Sequence, residues 1–367
     1  MIQTMVNSTL NFTHHDDSVW QTILKYEPAF ELILCAPCLF INIYFALRFS
    51  KLSTFNSNLK IVMISTNITT AFIALLRPLL RGISERSYSV KDGHYIKAAF
   101  VYLLFYLVQV FTLIMDAKYL LVGLERYVAF RDRADYERRD TKQTVRLLIC
   151  FIAFIAVSNL IKNSMTVVFT DQVDWDRALE HAFITERSPV SFVFLHVIAG
   201  IGWLVGAITF YRLKVETKKN RYMGKSLSES YQIREIAKVV DVLGALIVAY
   251  LSTLIFCLIC LGVLCHHVYF DGGHVKSALF LALSNAEYIS LNIYNIFATI
   301  YMLWKFNKLR EVLFQDLCCL FRIKMPTAVE AVNVDREVDL DDHFRKLTAA
   351  WNRAIAVKQQ AIVSMNS

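Results

Sequence analysis

A chain of 367 residues, 56% hydrophobic and only 19% charged, carries too little polar surface for an ordinary water-soluble globule. Its mean hydropathy of +0.43 points the same way. A net charge of +8 would suit nucleic acid by magnitude, but the Lys and Arg residues gather in the connections on one side of long apolar runs, so no nucleic-acid partner is expected.

Residues 1–28 hold no apolar core of the signal-peptide kind, so no cleaved leader is expected and the first span itself directs insertion. Asn7-Ser8-Thr9 and Asn11-Phe12-Thr13 have the form of N-glycosylation acceptors, which puts Asn7 and Asn11 on the extracellular side. A third match, Asn67-Ile68-Thr69, lies inside an apolar run and should stay unmodified.

Seven apolar runs follow, at Ala29–Phe49, Leu59–Leu80, Ala98–Leu124, Val145–Phe169, Val190–Tyr211, Val240–Cys265 and Ser277–Trp304. A helix rises about 1.5 Å per residue and the hydrocarbon core is about 30 Å thick, so about 20 residues cross it. Backbone in lipid must close its hydrogen bonds within a helix or a barrel, and runs without alternation exclude the barrel. The expected fold is an all-α membrane protein, a seven-transmembrane-helix bundle. The expected organisation is an extracellular N-terminus (1–28), the bundle (29–304), an amphipathic juxtamembrane helix (305–324) and a cytoplasmic tail (325–367), with no soluble enzyme domain. Lys and Arg number 28 on one side of the runs and 8 on the other. The denser side is cytoplasmic, so the N-terminus lies outside, although the loop at 81–97 is more basic than outer loops usually are.

Along the bundle, Arg77 in the second run, Tyr102, Tyr106 and Gln109 in the third, and Glu287 with Tyr288 in the seventh reach the outer to middle levels. Tyr102, Tyr106 and Gln109 share a face by their i, i+4, i+7 spacing. These six are the candidates for a ligand pocket between helices, with interhelical packing as the alternative for each. Glu287 leads, because a carboxylate at that depth needs a partner. Asn67, Asp116 and Asn295 stand about 12–14 Å from the inner ends of three helices by helix rise. Either they share one network, with water or a cation among them, or each satisfies its own backbone. Lys118 and Lys162 are placed to snorkel towards opposite interfaces.

Glu125-Arg126-Tyr127 closes the inner end of the third run. Arg126 can pair with Glu125 or with an acid of the sixth helix, Glu235 or Asp241, and breaking that pair would open a cytoplasmic crevice, as a switch requires. After Trp304, Phe306, Leu309, Leu313, Leu317 and Leu320 recur at helical spacing among Lys and Arg, which predicts an amphipathic helix on the inner leaflet. Cys318 and Cys319 at its end are palmitoylation candidates, or else free thiols.

No catalytic constellation emerges: no phosphate-binding glycine loop, nucleophile elbow or zincin pair, and no internal repeat of transporter type. No cofactor and no metal are expected. Cys35-x-x-Cys38 and Cys257-x-x-Cys260 have redox or zinc spacing. Both sit in apolar runs without His or carboxylate neighbours, so packing explains them. His266, His267, Asp271 and His274 are ligand-type residues in an outer loop, and a polar loop accounts for them.

The Glu125-Arg126-Tyr127 triplet, seven spans, an outside N-terminus and basic inner loops together resemble a G-protein-coupled receptor. More narrowly, Glu125-Arg126-Tyr127-Val128-Ala129, Asp135-Tyr136-Glu137-Arg138-Arg139 and Leu227-Ser228-Glu229-Ser230-Tyr231-Gln232-Ile233-Arg234-Glu235 resemble the nematode chemoreceptors called serpentine receptors of class epsilon. An Asn commonly follows the equivalent of Glu235 in that family, whereas Ile236 stands here. The chain also departs from rhodopsin-like receptors. It has no Pro in its sixth or seventh run, carries Asn292-Ile293-Tyr294-Asn295-Ile296 in place of Asn-Pro-x-x-Tyr, and lacks the cysteines of the outer disulfide. The resemblance implies a non-enzymatic sensory receptor of the plasma membrane, in sensory cilia if it follows the family. Its partners would be a small-molecule chemical ligand outside, a heterotrimeric G protein inside, and the membrane lipids. The competing expectations are a ligand-gated channel subunit of the insect olfactory kind, which has the opposite orientation, and a transporter.

Overall fold

The computed structural model describes residues 2–52, 55–83, 89–90, 93–133, 141–170, 174–185, 188–220, 227–270 and 277–320, leaving aside the side chains of 2–18, 227, 228, 230 and 231. The described residues form helices only: α1 (Ile2–Ser50), α2 (Ser57–Arg81), α3 (Tyr95–Asp116), α4 (Lys118–Arg131), α5 (Thr141–Phe169), α6 (Trp175–Phe183), α7 (Pro189–Asn220), α8 (Leu227–Tyr269), α9 (Ala278–Lys305) and α10 (Asn307–Leu320). Seven segments build the bundle: α1, α2, α3 with α4, α5, α7, α8 and α9. α1 packs against α2 and α9, α8 against α7 and α9, and α2 and α7 flank the α3–α4 segment. The chain divides into two compact units, 1–309 and 310–367.

Hydropathy explains six of the seven spans directly. Val19–Ser50 within α1, α2, α3, α5, α7 and Gln232–Tyr269 within α8 are each long and apolar enough to cross a membrane. α9 falls short of that apolarity because one of its faces is polar. Ser284, Asn285, Glu287, Asn292, Asn295 and Thr299 are all buried, while Ile293, Phe297, Ile300 and Trp304 point outward. That is the pattern of a helix presenting polar groups to the bundle and hydrocarbon to lipid.

The third apolar run is not one helix. It breaks at Ala117 (φ −83°, ψ 3°), dividing α3 from α4 without any Pro or Gly in the break. The Ala117 amide still donates to the Leu113 carbonyl at 3.0 Å, and the Leu121 amide to the Ala117 carbonyl at 3.0 Å. The break therefore leaves these backbone bonds closed. α7 sits directly on it. A Cβ on Gly206 would stand 3.2 Å from Leu120 N and Tyr119 C, and one on Gly202 3.5 Å from Ala117 Cα. Two glycines four residues apart thus let the helices meet backbone to backbone.

The expected boundary at residue 28 falls inside α1, which continues through Pro28 and Pro37. Phe45, Phe49, Phe55 and Phe306 cluster at centroid distances between 5.0 and 6.3 Å, tying the end of α1 to the end of α9. Helix starts are capped by side chains: Asn56 accepts from the Asn58 amide (2.9 Å) and Ser277 from the Phe280 amide (3.2 Å). The segment 305–324, expected to be a juxtamembrane helix, includes α10, with Leu309 buried and Phe314, Leu317 and Leu320 exposed; 321–324 lie outside the described residues, as does the expected tail at 325–367.

Candidate functional site

Three polar clusters are stacked through the bundle. The innermost is built on the last turns of α4. There Glu125 and Arg126 are buried while their neighbours Leu124 and Tyr127 face outward. Arg126 is 0% exposed. Its Nε and Nη2 donate to the two carboxylate oxygens of Glu125 at 2.5 and 2.7 Å, and its Nη1 donates to Glu235 Oε1 on α8 at 3.1 Å. This uses the planar fork for which Arg, and not Lys, is suited. The Asn56 amide also donates to Glu235 Oε1, at 3.5 Å. A second ion pair, Arg133 with Glu229, joins the residues after α4 to the start of α8. Asp241, the other candidate partner, is 67% exposed and pairs with Lys214 of α7 at 3.7 Å. Helix geometry explains the choice: six residues beyond Glu235 is about 240° round the helix and about 9 Å along it, too far for Arg126.

The middle cluster is two groups rather than one layer. Asn67 donates to the Met63 carbonyl of its own helix at 2.7 Å. Asn295 accepts from Lys118 Nζ at 2.7 Å and donates to Met115 Sδ at 3.1 Å. Asn67, Asn295 and Lys118 border one cavity of about 30 Å³, roomy enough for a water. Asp116 belongs elsewhere: it accepts from the Tyr250 hydroxyl at 2.8 Å and borders a separate cavity of about 40 Å³ with His196 and Glu287. Tyr119, whose hydroxyl bonds that of Tyr294, and Tyr250 stand between the two groups. Lys118 does not snorkel. Its ammonium turns inward over the rings of Tyr294 (4.8 Å) and Tyr119 (5.3 Å), since a hydrogen-bond acceptor and π faces lie closer than the interface. Lys162 also turns inward, donating to Ser191 Oγ on α7 at 2.8 Å.

The outer cluster centres on Arg77. Its guanidinium pairs with Glu31 of α1, donates to Asn285 Oδ1 of α9 at 2.8 Å, and lies 3.5 Å from the centroid of the Tyr288 ring. One turn outward, Arg81 bridges Glu31 (2.6 Å) and Glu27 (3.2 Å), and Asn285 donates to Glu27 at 3.2 Å. Sequence reading missed both acids and Asn285. The signal was present as spacing: Glu27 and Glu31 are four apart on α1, Arg77 and Arg81 four apart on α2, so two like-spaced pairs can mate face to face. Arg77, Arg81, Asn285 and Tyr288 border a cavity of about 180 Å³ with Phe105 and Phe183. Glu287 points away from it and meets His196 Nε2 of α7 at 3.3 Å.

The remaining pocket candidates do other things. Gln109 is a fastener: its amide donates to the Phe183 carbonyl (2.9 Å) and the Ala182 carbonyl (3.2 Å), while its carbonyl oxygen accepts from Asn159 (3.0 Å) and Asn163 (3.1 Å). It pins the end of α6 to α3 and α5. Tyr106 donates to the Ala156 carbonyl of α5 at 2.7 Å, and Tyr102 packs on Phe183 and Ile184. None of these three borders the outer cavities described above.

Over residues 16–322 the chain matches the family model of the serpentine type 7TM GPCR receptor class ab chemoreceptor. The chain belongs to that family. A comparison with curated proteins gave no match. This serpentine receptor is a G-protein-coupled chemoreceptor of the membrane, and nothing favours the ion-channel alternative. Its family is not one of enzymes. The class matched is ab, whereas the inner-loop motifs resemble class epsilon; Asp135–Arg139 of those motifs lies outside the described residues, as do the side chains of Asn7 and Asn11. Of the palmitoylation candidates in the receptor, Cys319 is exposed and Cys318 partly so.

Proposed function

We propose that this receptor takes a small organic stimulus in the outer cavity beside Arg77, Asn285 and Tyr288, and signals by opening the Arg126–Glu235 pair to admit a heterotrimeric G protein. The carrying observation is the buried guanidinium that joins α4 to α8 at the inner end. An ion pair between two helices is a two-state element, and a ligand biases it only through differential contacts with the two states. The outer cavity touches α1, α2, α3, α9 and the α6 end, so its occupant bears on α3 itself and on α2, which flanks the α3–α4 segment. Both arginines at the cavity are neutralised by Glu27 and Glu31, which favours an uncharged occupant with hydrogen-bonding groups over a strong anion.

The sidedness follows from the Lys and Arg bias: N-terminus outside with glycans at Asn7 and Asn11, basic loops and tail in the cytosol, at the plasma membrane and in the cilia of sensory cells. Acylated Cys318 and Cys319 would hold the apolar face of α10 to the inner leaflet. Asn67, Asp116 and Asn295 act as two groups that rearrange between states, coupled through Lys118 and the three tyrosines. The epsilon-type loop motifs are read as features shared by two serpentine classes.

The test is nucleotide exchange on a reconstituted G protein, normalised to receptors at the surface. Arg126→Ala abolishes stimulated exchange. Glu235→Gln, which leaves Arg126 its Glu125 partner, raises exchange without stimulus. A wild-type rate from Arg126→Ala would refute the assigned switch.

A further inference from the structure

Three side chains of metal-binding type converge where α7, α8 and α9 meet. His196 Nε2, Cys257 Sγ and a Glu287 carboxylate oxygen lie within 4.8 Å of one another. All three border the cavity of about 40 Å³ that also holds Asp116. Glu287 is 4% exposed, and its Oε1 has no hydrogen-bond partner among the described residues. A buried carboxylate oxygen left bare at mid-membrane depth is costly, and it is an open coordination site.

The surroundings of the histidine fit the same reading. His196 Nδ1 lies 2.8 Å from the Phe192 carbonyl oxygen. A carbonyl only accepts, so Nδ1 carries the proton and Nε2 turns towards Glu287 and Cys257. Metal-bound histidines are commonly oriented in this way, by a carbonyl on the far ring nitrogen. Ser290 Oγ stands 3.7 Å from Cys257 Sγ.

We propose that His196, Cys257 and Glu287 form a three-ligand site for a divalent transition ion of the zinc type, with the fourth position open to the cavity. Imidazole, thiolate and carboxylate together suit zinc or cobalt and not magnesium or calcium, which take oxygen ligands. Around a tetrahedral ion with bonds of about 2.0–2.3 Å, ligand atoms stand roughly 3.3–3.7 Å apart. His196 and Glu287 already meet at 3.3 Å. Cys257 Sγ, within 4.8 Å of both, would have to approach them by about 1 Å on loading. A neutral imidazole, a carboxylate and a thiolate balance the dication, so loading adds no net charge to the site: the Cys257 thiol gives up its proton and the His196–Glu287 pair gives up the one proton it shares. Sequence reading saw only packing at Cys257, because its partners come from two other helices.

The test uses the full-length receptor in lipid nanodiscs, stripped with chelator and loaded with Co²⁺ or Zn²⁺. One Co²⁺ per receptor and a thiolate-to-cobalt charge-transfer band are expected. The band disappears in Cys257→Ser and persists in Cys260→Ser and in Cys265→Ser, the cysteine beside His266 and His267. X-ray absorption on the zinc-loaded wild type, which needs no variant to fold, should show one sulfur at about 2.3 Å with nitrogen and oxygen at about 2.0–2.1 Å. A zinc shell without sulfur, or a band kept by Cys257→Ser, would overturn the site.

Discussion

The inner and outer charged clusters use the same chemistry to different ends. At the inner end one arginine is held by two acids and packed shut between α4 and α8. At the outer end two arginines face two acids across α1 and α2, and a cavity opens beside them. The inner arrangement has an acid to spare, so Arg126 can lose Glu235 and stay paired with Glu125. The outer one is balanced, and removing any member leaves a charge without its match. On the proposed mechanism the first exchanges partners and the second stays.

That contrast can be broken by experiment. Arg77→Met should have the largest effect on stability, about 3–5 kcal/mol, because it leaves Glu27 and Glu31 to share Arg81, one buried acid in excess. Thermal unfolding in detergent would show it, and Arg77→Met combined with Glu31→Leu should recover most of the loss. Melting of Arg77→Met at the wild-type temperature would mean that the outer cluster is not a fastening at all. Gln109→Leu comes next: it orphans Asn159 and Asn163 and frees two carbonyls at the end of α6, at about 1–3 kcal/mol for each buried group left unpaired. Faster hydrogen exchange confined to the end of α6 and its contacts on α5 is expected, with the inner end unaffected. An equal acceleration at α4 and α8 would erase the distinction between the two ends. The smallest effect belongs to Asp241→Asn. Its exposed pair with Lys214 contributes about 0–1 kcal/mol, so stability and ligand-free exchange should match wild type, in contrast to Glu235→Gln. Raised basal exchange in Asp241→Asn would show that the α7–α8 surface shares in the switch.

Much of the architecture was readable from hydropathy, because lipid forces the backbone into helices of a known minimum length. The polar face of α9 was readable too, as Asn, Ser and Glu recurring among aliphatics. The break at Ala117 was not, since neither Pro nor Gly marks it. The choice of Glu235 over Asp241 could have been made by counting degrees around α8. The destination of Lys118 could not: snorkelling and inward pairing both suit a lysine in an apolar run, and only the position of Asn295 and the tyrosines decides. His196 illustrates the same limit, a lone histidine among apolar residues whose partners lie on two other helices.

Gly202 and Gly206 give α7 a property that its apolar neighbours lack. Helices separated by side chains can absorb a small shift by changing rotamers, but main chain resting on main chain has no such cushion. α7 carries His196 at the central cavity and, two to three turns further along, bears on Tyr119 and Leu120, themselves less than two turns from Arg126. A tilt imposed at the imidazole would thus reach the arginine as leverage, with little lost along the way.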